Sequence, residues 1–382
     1  MNEDPVVVIG ASAAGLYSAL QVARARIPVR VYERSDPFAP TARTLIVTPE
    51  VRQALGFAPV RATRNRVHTL ELRSGGRRAP IALREPDLIV ERAELLCQLE
   101  QHAVDAGVEI VHGHEFVGFE SAAAGSATVL VRERAAERTH AVTARALIAA
   151  DGVRSRVARS LGLPPQPTVS VLQARVETPA VTDPGVGTVW FVPTETPYFY
   201  WLCPESDRTA AVGLVDARPR DAKAKLDRFL AQRGWAPTEY QAALVPLYTP
   251  GRPVTRRMGT LEVLFVGDAA GQVKVTTIGG TVSGLLGAQA AARAIIGGRP
   301  YAHELRAVER ELRLHWYIRR LMHHFGDTEY DVLLQLLSGR LGRLLEVHNR
   351  DRLHSVFWSM LAVQPRLPLL VAQALWRAGL QP

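Results

Sequence analysis

Residues 6 to 15 read Val-Val-Val-Ile-Gly-Ala-Ser-Ala-Ala-Gly, and this stretch decides the fold of the N-terminal part of the chain. Its β-branched run predicts a buried strand, and the apolar periodicity that follows predicts a helix. A strand, a glycine turn and a helix in this order form the unit that holds the pyrophosphate of a dinucleotide. Gly10 permits the sharp turn, Ser12 is small enough for the backbone to approach a phosphate, and Gly15 lets the helix pack closely on its strand. We therefore expect a Rossmann-like unit here.

A carboxylate stands where such a unit needs one. A second apolar strand ends at Glu33, which follows Gly15 by 18 residues. A carboxylate at this place accepts hydrogen bonds from both hydroxyls of a ribose. Glu33 and its neighbour Arg34 are therefore candidate cofactor contacts, together with Ala13 and Ala14 of the turn.

Residues 264 to 280, Leu-Phe-Val-Gly-Asp-Ala-Ala-Gly-Gln-Val-Lys-Val-Thr-Thr-Ile-Gly-Gly, form a second nucleotide-binding signature. A buried strand delivers Gly267 and Asp268 to the carboxyl edge of a sheet, where open α/β folds bind ligands. The Asp268 carboxylate can accept hydrogen bonds from the ribityl hydroxyls of a flavin. The helix that starts near Gly279 and Gly280 can point its positive end at a reduced flavin ring. The two signatures together predict a flavin site.

The charge balance does not indicate nucleic-acid binding. The 382 residues carry a formal net charge of +9, but only three of the 46 basic residues are lysines, Lys223, Lys225 and Lys274. The arginines are scattered and lack the interleaved aromatic residues of a single-strand groove. A positive surface also suits a phosphorylated substrate or anionic lipid headgroups. We expect an apolar small-molecule or lipid substrate and no nucleic acid; the oligomeric state stays open.

Cysteine usage and the chain ends favour the cytoplasm. Cys97 and Cys203 form no disulfide framework, and no histidine or cysteine spacing indicates a metal site. The first residues do not resemble a signal peptide. The apolar run from Leu367 to Trp376 is far shorter than the roughly 20 residues of a spanning helix. A peripheral membrane contact is compatible with these features.

The order of the predicted elements gives an α/β fold with an α+β insertion. Residues 1–65, 88–165 and 255–300 are assigned to a discontinuous Rossmann-like FAD-binding domain. Residues 66–87, a hairpin turning at Gly75-Gly76, and 166–254 are assigned to a mostly β substrate domain. Residues 301–382 are assigned to a C-terminal helical region.

The chain resembles the FAD-dependent superfamily of the aromatic hydroxylases, and most closely the geranylgeranyl reductase family. Leu264 to Gly280 resembles that family's G-D-A-A-G-x-V-K-P-T-T-x-G-G. The stretch Pro197 to Pro204, Pro-Tyr-Phe-Tyr-Trp-Leu-Cys-Pro, resembles its Y-x-W-x-F-P stretch. The helical tail with Asp327 to Asp331 also resembles the family. Asp151 to Ser155 matches the superfamily's D-G-x-x-S.

The resemblance implies FAD as the cofactor and assigns further residues to it. Asp151 would order the pyrophosphate region, although it can equally cap the helix that follows. Arg43 and Arg92 would reach the FAD phosphates. Lys274 would polarise the substrate or hold an anionic flavin, or else be an exposed lysine of the motif.

The resemblance also assigns residues to the substrate. Phe199, Trp201 and Cys203 would line an apolar cavity, although alternate aromatic residues on a strand are often ordinary packing. Tyr200 is a candidate catalytic acid beside Lys274, and Tyr198 is a third.

Four departures from the family limit this transfer. The proline after the motif lysine is Val275, the aromatic residue before the last proline is Cys203, and the tyrosine before the tryptophan is Phe199. The reductases' early C-G-G segment is replaced by residues 43–49. Cys97, in a predicted helix, is expected in the core.

Four functions are compatible with a flavin site. The favoured one is reduction of a carbon-carbon double bond in an isoprenoid substrate by hydride from flavin N5, with NAD(P)H or a ferredoxin as electron donor. The second is monooxygenation of an aromatic or polyketide-like substrate. Hydroxylases commonly carry histidine where this chain has Gly271 and proline where it has Val275, which disfavours this alternative. A non-redox cyclase or isomerase that uses reduced flavin, and a non-catalytic flavin-binding protein, complete the set.

Overall fold

The computed structural model describes residues 4–121, 127–177, 183–348 and 350–364. Helices and strands alternate in the first part of the chain, and helices alone follow residue 281. The helices are α1 Ala13–Arg24, α2 Glu50–Leu55, α3 Arg92–Asp105, α4 Arg156–Ser160, α5 Pro219–Ala231, α6 Thr281–Gly297, α7 Tyr301–Glu304, α8 Arg306–Met322, α9 Asp327–Leu337, α10 Arg340–Val347 and α11 Leu353–Val363.

A six-stranded sheet forms the nucleotide-binding part. Its spatial order is β16 Thr255–Met258, β17 Leu261–Phe265, β10 Ala146–Ala149, β1 Val6–Ile9, β2 Val29–Tyr32 and β6 Glu109–Val111. All neighbours pair in parallel except β16 and β17. The strands β1, β10 and β17 are apolar and almost fully buried, as expected of a parallel sheet covered on both faces. Both predicted signatures therefore follow strands of one sheet.

An eight-stranded sheet forms most of the part that was predicted to bind the substrate. Its order is β15 Pro237–Pro246, β11 Thr168–Glu177, β14 Thr209–Asp216, β13 Tyr200–Pro204, β12 Val186–Phe191, β4 Thr63–Ser74, β5 Arg77–Glu91 and β3 Thr44–Val47. A third, antiparallel sheet contains β7 His114–Ser121, β8 Ala127–Glu133 and β9 Arg138–Val142. The α/β class with a mostly β substrate part and C-terminal helices is confirmed.

The predicted domain limits differ from the sheet limits in one respect. The hairpin of β4 and β5 is longer than residues 66–87, and β3, within the range 1–65, pairs with β5 through Leu45 and Val90. The strands β3, β4 and β5 all belong to the eight-stranded sheet, although parts of them fall within the residue ranges assigned to the FAD-binding domain. Residues 217–245, to which the sequence pattern assigned no element, form α5 and β15. Helix α5 begins with Pro219 at its first turn and buries Leu226 and Phe229.

The C-terminal helices pack on the β4–β5 hairpin and on each other. Tyr330, Leu334 and Leu337 of α9 share a core cluster with Phe191 of the eight-stranded sheet. The stretch from Leu367 to Trp376 lies outside the described residues. Within the described ranges, no helix combines the length and the apolar character needed to cross a bilayer. A peripheral membrane contact stays a prediction.

One glycine sets the position of an aromatic side chain in the eight-stranded sheet. Gly213 of β14 lies opposite Trp201 of β13. A Cβ atom at Gly213 would lie 2.4 Å from Trp201 Cζ2 and 2.6 Å from the Leu172 carbonyl oxygen. The indole therefore rests directly on the glycine backbone.

We expect Gly213→Ala to lower the free energy of unfolding by about 1–3 kcal/mol, because the added methyl group must displace the indole or the neighbouring strand. Urea denaturation measures this change. Gly76→Ala is the matched control, since a Cβ atom there meets no atom within 4 Å. Equal midpoints for the two variants would contradict the packing described.

Candidate functional site

Strand register brings three turns of the chain to one edge of the six-stranded sheet. Ile9 of β1 pairs with Ala149 of β10, and Ala149 pairs with Phe265 of β17. The residues that follow these strands are therefore neighbours in space, although they lie far apart in sequence. This edge contains the glycine turn, the Asp151 turn and the Asp268 turn, and it is the ligand-binding edge of an open α/β sheet.

The backbone at this edge is packed so closely that only glycine fits. A Cβ atom at Gly10, where φ is 100°, would lie 2.7 Å from the Ala150 carbonyl oxygen. A Cβ atom at Gly15 would lie 2.1 Å from the Gly10 carbonyl oxygen, and one at Gly267 would lie 2.9 Å from Ala14 Cβ. These contacts leave the N-terminus of α1 open to a ligand, as a pyrophosphate site requires.

Side chains of the turn hold this backbone in place. The Ser12 hydroxyl accepts a hydrogen bond from the Gly15 amide at 3.2 Å and caps α1. The Glu33 carboxylate accepts from the amides of Ala11 at 2.8 Å and Ser35 at 3.0 Å. Arg34 is exposed, and its carbonyl accepts from Arg134. Glu33 thus supports the glycine turn whether or not it also reaches a ribose.

Asp151 does cap a helix. One of its carboxylate oxygens accepts hydrogen bonds from the amides of Arg156 at 2.7 Å and Val157 at 3.1 Å, at the start of α4. The other oxygen, Oδ1, is buried and has no hydrogen-bond partner among the described residues. An unpaired buried acceptor is costly, so this atom is suited to receive a donor from a ligand or water.

Two arginines and one carboxylate give the edge its charge. Burial lowers the pKa of Arg43, and the neighbouring Arg92 lowers it further, while Asp268 raises it. Burial raises the pKa of Asp268, and Arg43 and Arg92 oppose that rise. The buried Arg43 Nε has no hydrogen-bond partner among the described residues. The two buried guanidinium groups, one of which has an unpaired donor, fit the phosphates of a dinucleotide.

A single cavity of about 660 Å³ joins this edge to the eight-stranded sheet. At one end it is lined by Ser12, Ala13, Ala14, Arg43, Arg92, Gly267, Asp268, Gly279 and Gly280. At the other end the lining includes the ion pair of Asp87 and Arg350 and is otherwise mostly apolar, with contributions from Leu70, Leu72, Ile81, Phe191, Phe199, Trp201, Met322, Leu333 and Leu345. The C-terminal helices supply the last three of these residues.

The strand β13 divides the aromatic candidates between two faces. Trp201 and Cys203 line the cavity, as does Phe199 just before the strand. Burial raises the pKa of Cys203 to about 12, so its thiol stays protonated and acts as a packing group.

Tyr200 points to the other face of this sheet, where it stacks on Phe229 of α5, and its hydroxyl donates to Glu195. Burial and Glu195 raise its pKa. Its position does not support a catalytic role.

Lys274 is not an exposed motif lysine. It is 5% exposed, and its ammonium donates to the carboxylate of Asp351, which is 7% exposed. Burial lowers the pKa of Lys274, and this effect is larger than the opposing effect of the Asp351 carboxylate. Burial raises the pKa of Asp351, but Lys274 and the hydrogen bond from the Thr48 hydroxyl together bring that pKa below its ordinary value. The backbone of Lys274 also pairs with Gly279. Lys274 therefore supports the Gly279-Gly280 turn from behind and does not line the cavity.

Several residues of this buried network were missed from the sequence. Arg350 donates to Asp87 of β5 at 2.5 Å, next to the pair of Lys274 and Asp351. His315 of α8 contacts the Thr276 hydroxyl. No spacing signal marks such contacts, because each joins residues at least 39 positions apart. The scarcity of lysine relative to arginine was the one sequence signal for this buried network, and it indicated only Lys274.

A second missed cluster lies on the three-stranded sheet. His114, Glu133 and His140 bring potential metal-ligand atoms within 4.8 Å of one another, on three different strands. His114 also contacts the His112 carbonyl oxygen at 2.7 Å. All three are partly exposed, and none of them lines the cavity.

Known proteins resemble this chain in sequence and fold. A family model of the FAD binding domain matches residues 3–293. Digeranylgeranylglycerophospholipid reductase 2 of Methanothermobacter thermautotrophicus is 30% identical over 364 residues, which cover 88% of this chain and 92% of the relative. The chain belongs to the geranylgeranyl reductase family of FAD-dependent oxidoreductases.

Solved structures of this family and of other flavoproteins share the fold. A geranylgeranyl bacteriochlorophyll reductase-like protein from Thermoplasma acidophilum has a TM-score of 0.78 and 19% identity, over 98% of both chains. The flavin-dependent halogenase CmlS has a TM-score of 0.63 and 17% identity, over 94% of this chain and 70% of its own.

The site described above fits FAD. The close-packed glycines give the pyrophosphate access to backbone amides, and Arg43 has a donor to spare. The buried Thr277 hydroxyl, which has no described partner, lies beside Gly279 at the end where the flavin ring is expected.

We expect Arg43→Met to weaken FAD binding by about 10- to 100-fold, because it removes charge-assisted hydrogen bonds. Titration of the apoprotein with FAD, followed by flavin fluorescence, measures the dissociation constant. Arg66→Met, at an exposed position outside the cavity lining, is the control and should bind normally. An unchanged dissociation constant for Arg43→Met would remove this residue from the phosphate site.

We expect Asp351→Asn to lower the free energy of unfolding by about 3–5 kcal/mol, because it leaves the Lys274 ammonium buried without a counter-charge. The double variant Lys274→Met/Asp351→Leu should lose less than the single variants Lys274→Met and Asp351→Leu together. A double-mutant cycle by urea denaturation measures the coupling. Additive losses in the free energy of unfolding would show that Lys274 and Asp351 do not stabilise each other.

Proposed function

We propose that this protein reduces carbon-carbon double bonds in a bulky apolar, isoprenoid substrate, with FAD as the hydride carrier. The observation that supports this is the continuity of the cavity, which runs from the cofactor edge to a long apolar end. Hydride transfer needs the alkene next to the flavin ring, and the apolar end can hold the rest of a prenyl chain out of water. The proposed electron donor is NAD(P)H or a ferredoxin.

The residues present account for binding and exclusion of water. Bound FAD would supply a hydride from N5 of its reduced ring. Phe199 and Trp201 orient the substrate from the sheet side, and Met322, Leu333 and Leu345 cover it from the helical side. Apolar walls of this kind reduce the access of water to the reacting atoms.

Two rim features suit a polar headgroup on the substrate. Arg84 and His348 lie among the residues around the cavity and are exposed. A phosphate group of a phospholipid would be attracted to Arg84 at this rim. The archaeal relative bears the name of a reductase of such a phospholipid.

The position of Gly271 favours reduction over hydroxylation. Its φ is 68°, and a Cβ atom there would lie 2.5 Å from Gln166 Oε1. The histidine that hydroxylases commonly carry at this place would be strained and would clash. The halogenase similarity concerns the fold alone.

We expect anaerobically reduced enzyme to be reoxidised by a polyprenyl substrate with equal amounts of flavin and product, the product gaining two hydrogen atoms. Stopped-flow absorbance follows the flavin, and mass spectrometry follows the product. Reoxidation only after oxygen is admitted, with a product gaining an oxygen atom, would favour the monooxygenase. Conversion at unchanged mass with the flavin still reduced would favour the cyclase.

A cavity variant separates substrate binding from cofactor binding. Leu72→Trp should fill the apolar end and raise KM for long prenyl chains at unchanged FAD affinity. Val60→Trp is the control, because Val60 is 73% exposed. Equal KM values in the two variants would show that the prenyl chain does not bind at the apolar end of the cavity.

A further inference from the structure

A buried histidine lies directly behind the cavity wall. His315 of α8 is 1% exposed, yet both of its ring nitrogens have partners. Nδ1 forms a hydrogen bond with the hydroxyl of Thr276. Nε2 lies 3.2 Å from the Arg350 carbonyl oxygen and 3.3 Å from Glu311 Oε1. The ring therefore connects a cavity residue to the C-terminal segment.

The partners of Nε2 determine which ring nitrogen carries the proton. A carbonyl oxygen only accepts hydrogen bonds, and so does an ionised carboxylate. Nε2 is therefore protonated, and in the neutral ring Nδ1 must accept the proton of the Thr276 hydroxyl. When the ring gains a second proton, Nδ1 becomes a donor, and the Thr276 hydroxyl turns its own proton away from His315.

Thr276 is placed where that proton is needed. It lines the cavity together with Thr277, Gly279 and Gly280, at the cofactor end. None of the three acids suggested by the sequence lines the cavity, since Lys274 is ion-paired, Tyr200 faces α5 and Tyr198 packs on Arg319. Reduction of an alkene needs a proton as well as a hydride. The cavity wall here contains the Thr276 hydroxyl, and His315 can replace a proton that this hydroxyl donates.

We propose that Thr276 is the catalytic acid of the reduction and that His315 is the positioning residue that supplies its proton. This inference rests on the proposed function. The hydride of the reduced flavin forms one C–H bond, and the alkene π bond breaks. The Thr276 O–H bond breaks as its proton forms the second C–H bond, and the Nδ1 proton of the imidazolium moves to Thr276 Oγ. The ring ends neutral, and solvent protonates it before the next turnover.

The charges around His315 set the sign of the pH dependence. Burial lowers its pKa, and Lys274 lowers it further, while Glu311 and Asp351 raise it; the net change is a decrease. Arg350 contributes its carbonyl oxygen to the ring. Because the imidazolium is the active form, the rate of substrate reduction should be constant below the pKa of His315. It should fall tenfold for each pH unit above it.

The experiment is a single turnover of holoenzyme reduced in advance, mixed anaerobically with polyprenyl substrate across a pH series. We expect Thr276→Val to slow flavin reoxidation by about a hundredfold or more, at unchanged substrate affinity. Thr276→Ser should restore most of the rate. His315→Gln should be slow and should lose the pH dependence. His324→Gln, at an exposed histidine near the end of the same helix, should behave like the wild type.

A second readout does not depend on turnover. In protein labelled at histidine nitrogen, the NMR signals that are lost in His315→Gln should belong to a ring with a protonated Nε2. Its Nδ1 resonance should shift in Thr276→Val.

The outcomes separate the two proposals. A wild type that no polyprenyl substrate reoxidises would overturn the proposed function and the relay with it. Normal wild-type reduction, with an unaffected Thr276→Val or an unchanged pH profile in His315→Gln, would overturn the relay alone.

Discussion

The close approach of backbone segments at one edge of the six-stranded sheet is the constraint on which the rest of the structure depends. Gly10, Gly15 and Gly267 each lie against the main chain or a methyl group at distances that exclude any side chain. These contacts fix how closely α1 approaches the sheet, and α6 packs at the same point, since a Cβ atom at Gly284 would lie 3.4 Å from Gly267 Cα. The turn from Thr276 to Gly280 leads directly into α6. The cavity begins at that turn. A shift of the glycines would therefore move the cofactor edge and the substrate end relative to each other.

A network of buried charges is the second constraint on the arrangement of the chain. Lys274 comes from the cofactor motif, Asp87 from the hairpin of the substrate sheet, and Arg350 and Asp351 from the segment between α10 and α11. Four charges of alternating sign in the interior are stable only while each has its partner, because an isolated buried charge is costly. The network thus holds three parts of the chain in one arrangement around the cavity, and His315 is in contact with the same segment.

The cofactor part was predictable because its signals are local. Strand, glycine turn and helix follow each other within ten residues, and parallel strands end at a common edge whatever lies between them. The alternation along β13 was equally local, and it already implied that Tyr200 could not share a face with Phe199 and Trp201. The helix α5 was missed although its buried residues Ala222, Leu226, Phe229 and Leu230 follow helical spacing. The partners of Lys274 and Thr276 escaped prediction because a contact across 77 or 39 residues leaves no periodic trace.

The Lys274–Asp351 pair also bears on how this chain can vary. The FAD-binding family match ends at residue 293, so the ammonium lies inside the shared motif and its counter-charge lies outside it. A fragment ending at residue 293 would retain the cofactor signatures but would lack Asp351, the residue that pairs with the Lys274 ammonium. A change of charge at either position is tolerated only with a simultaneous change at the other. C-terminal helices that lacked the Asp351 carboxylate would therefore leave the buried Lys274 ammonium without its counter-charge.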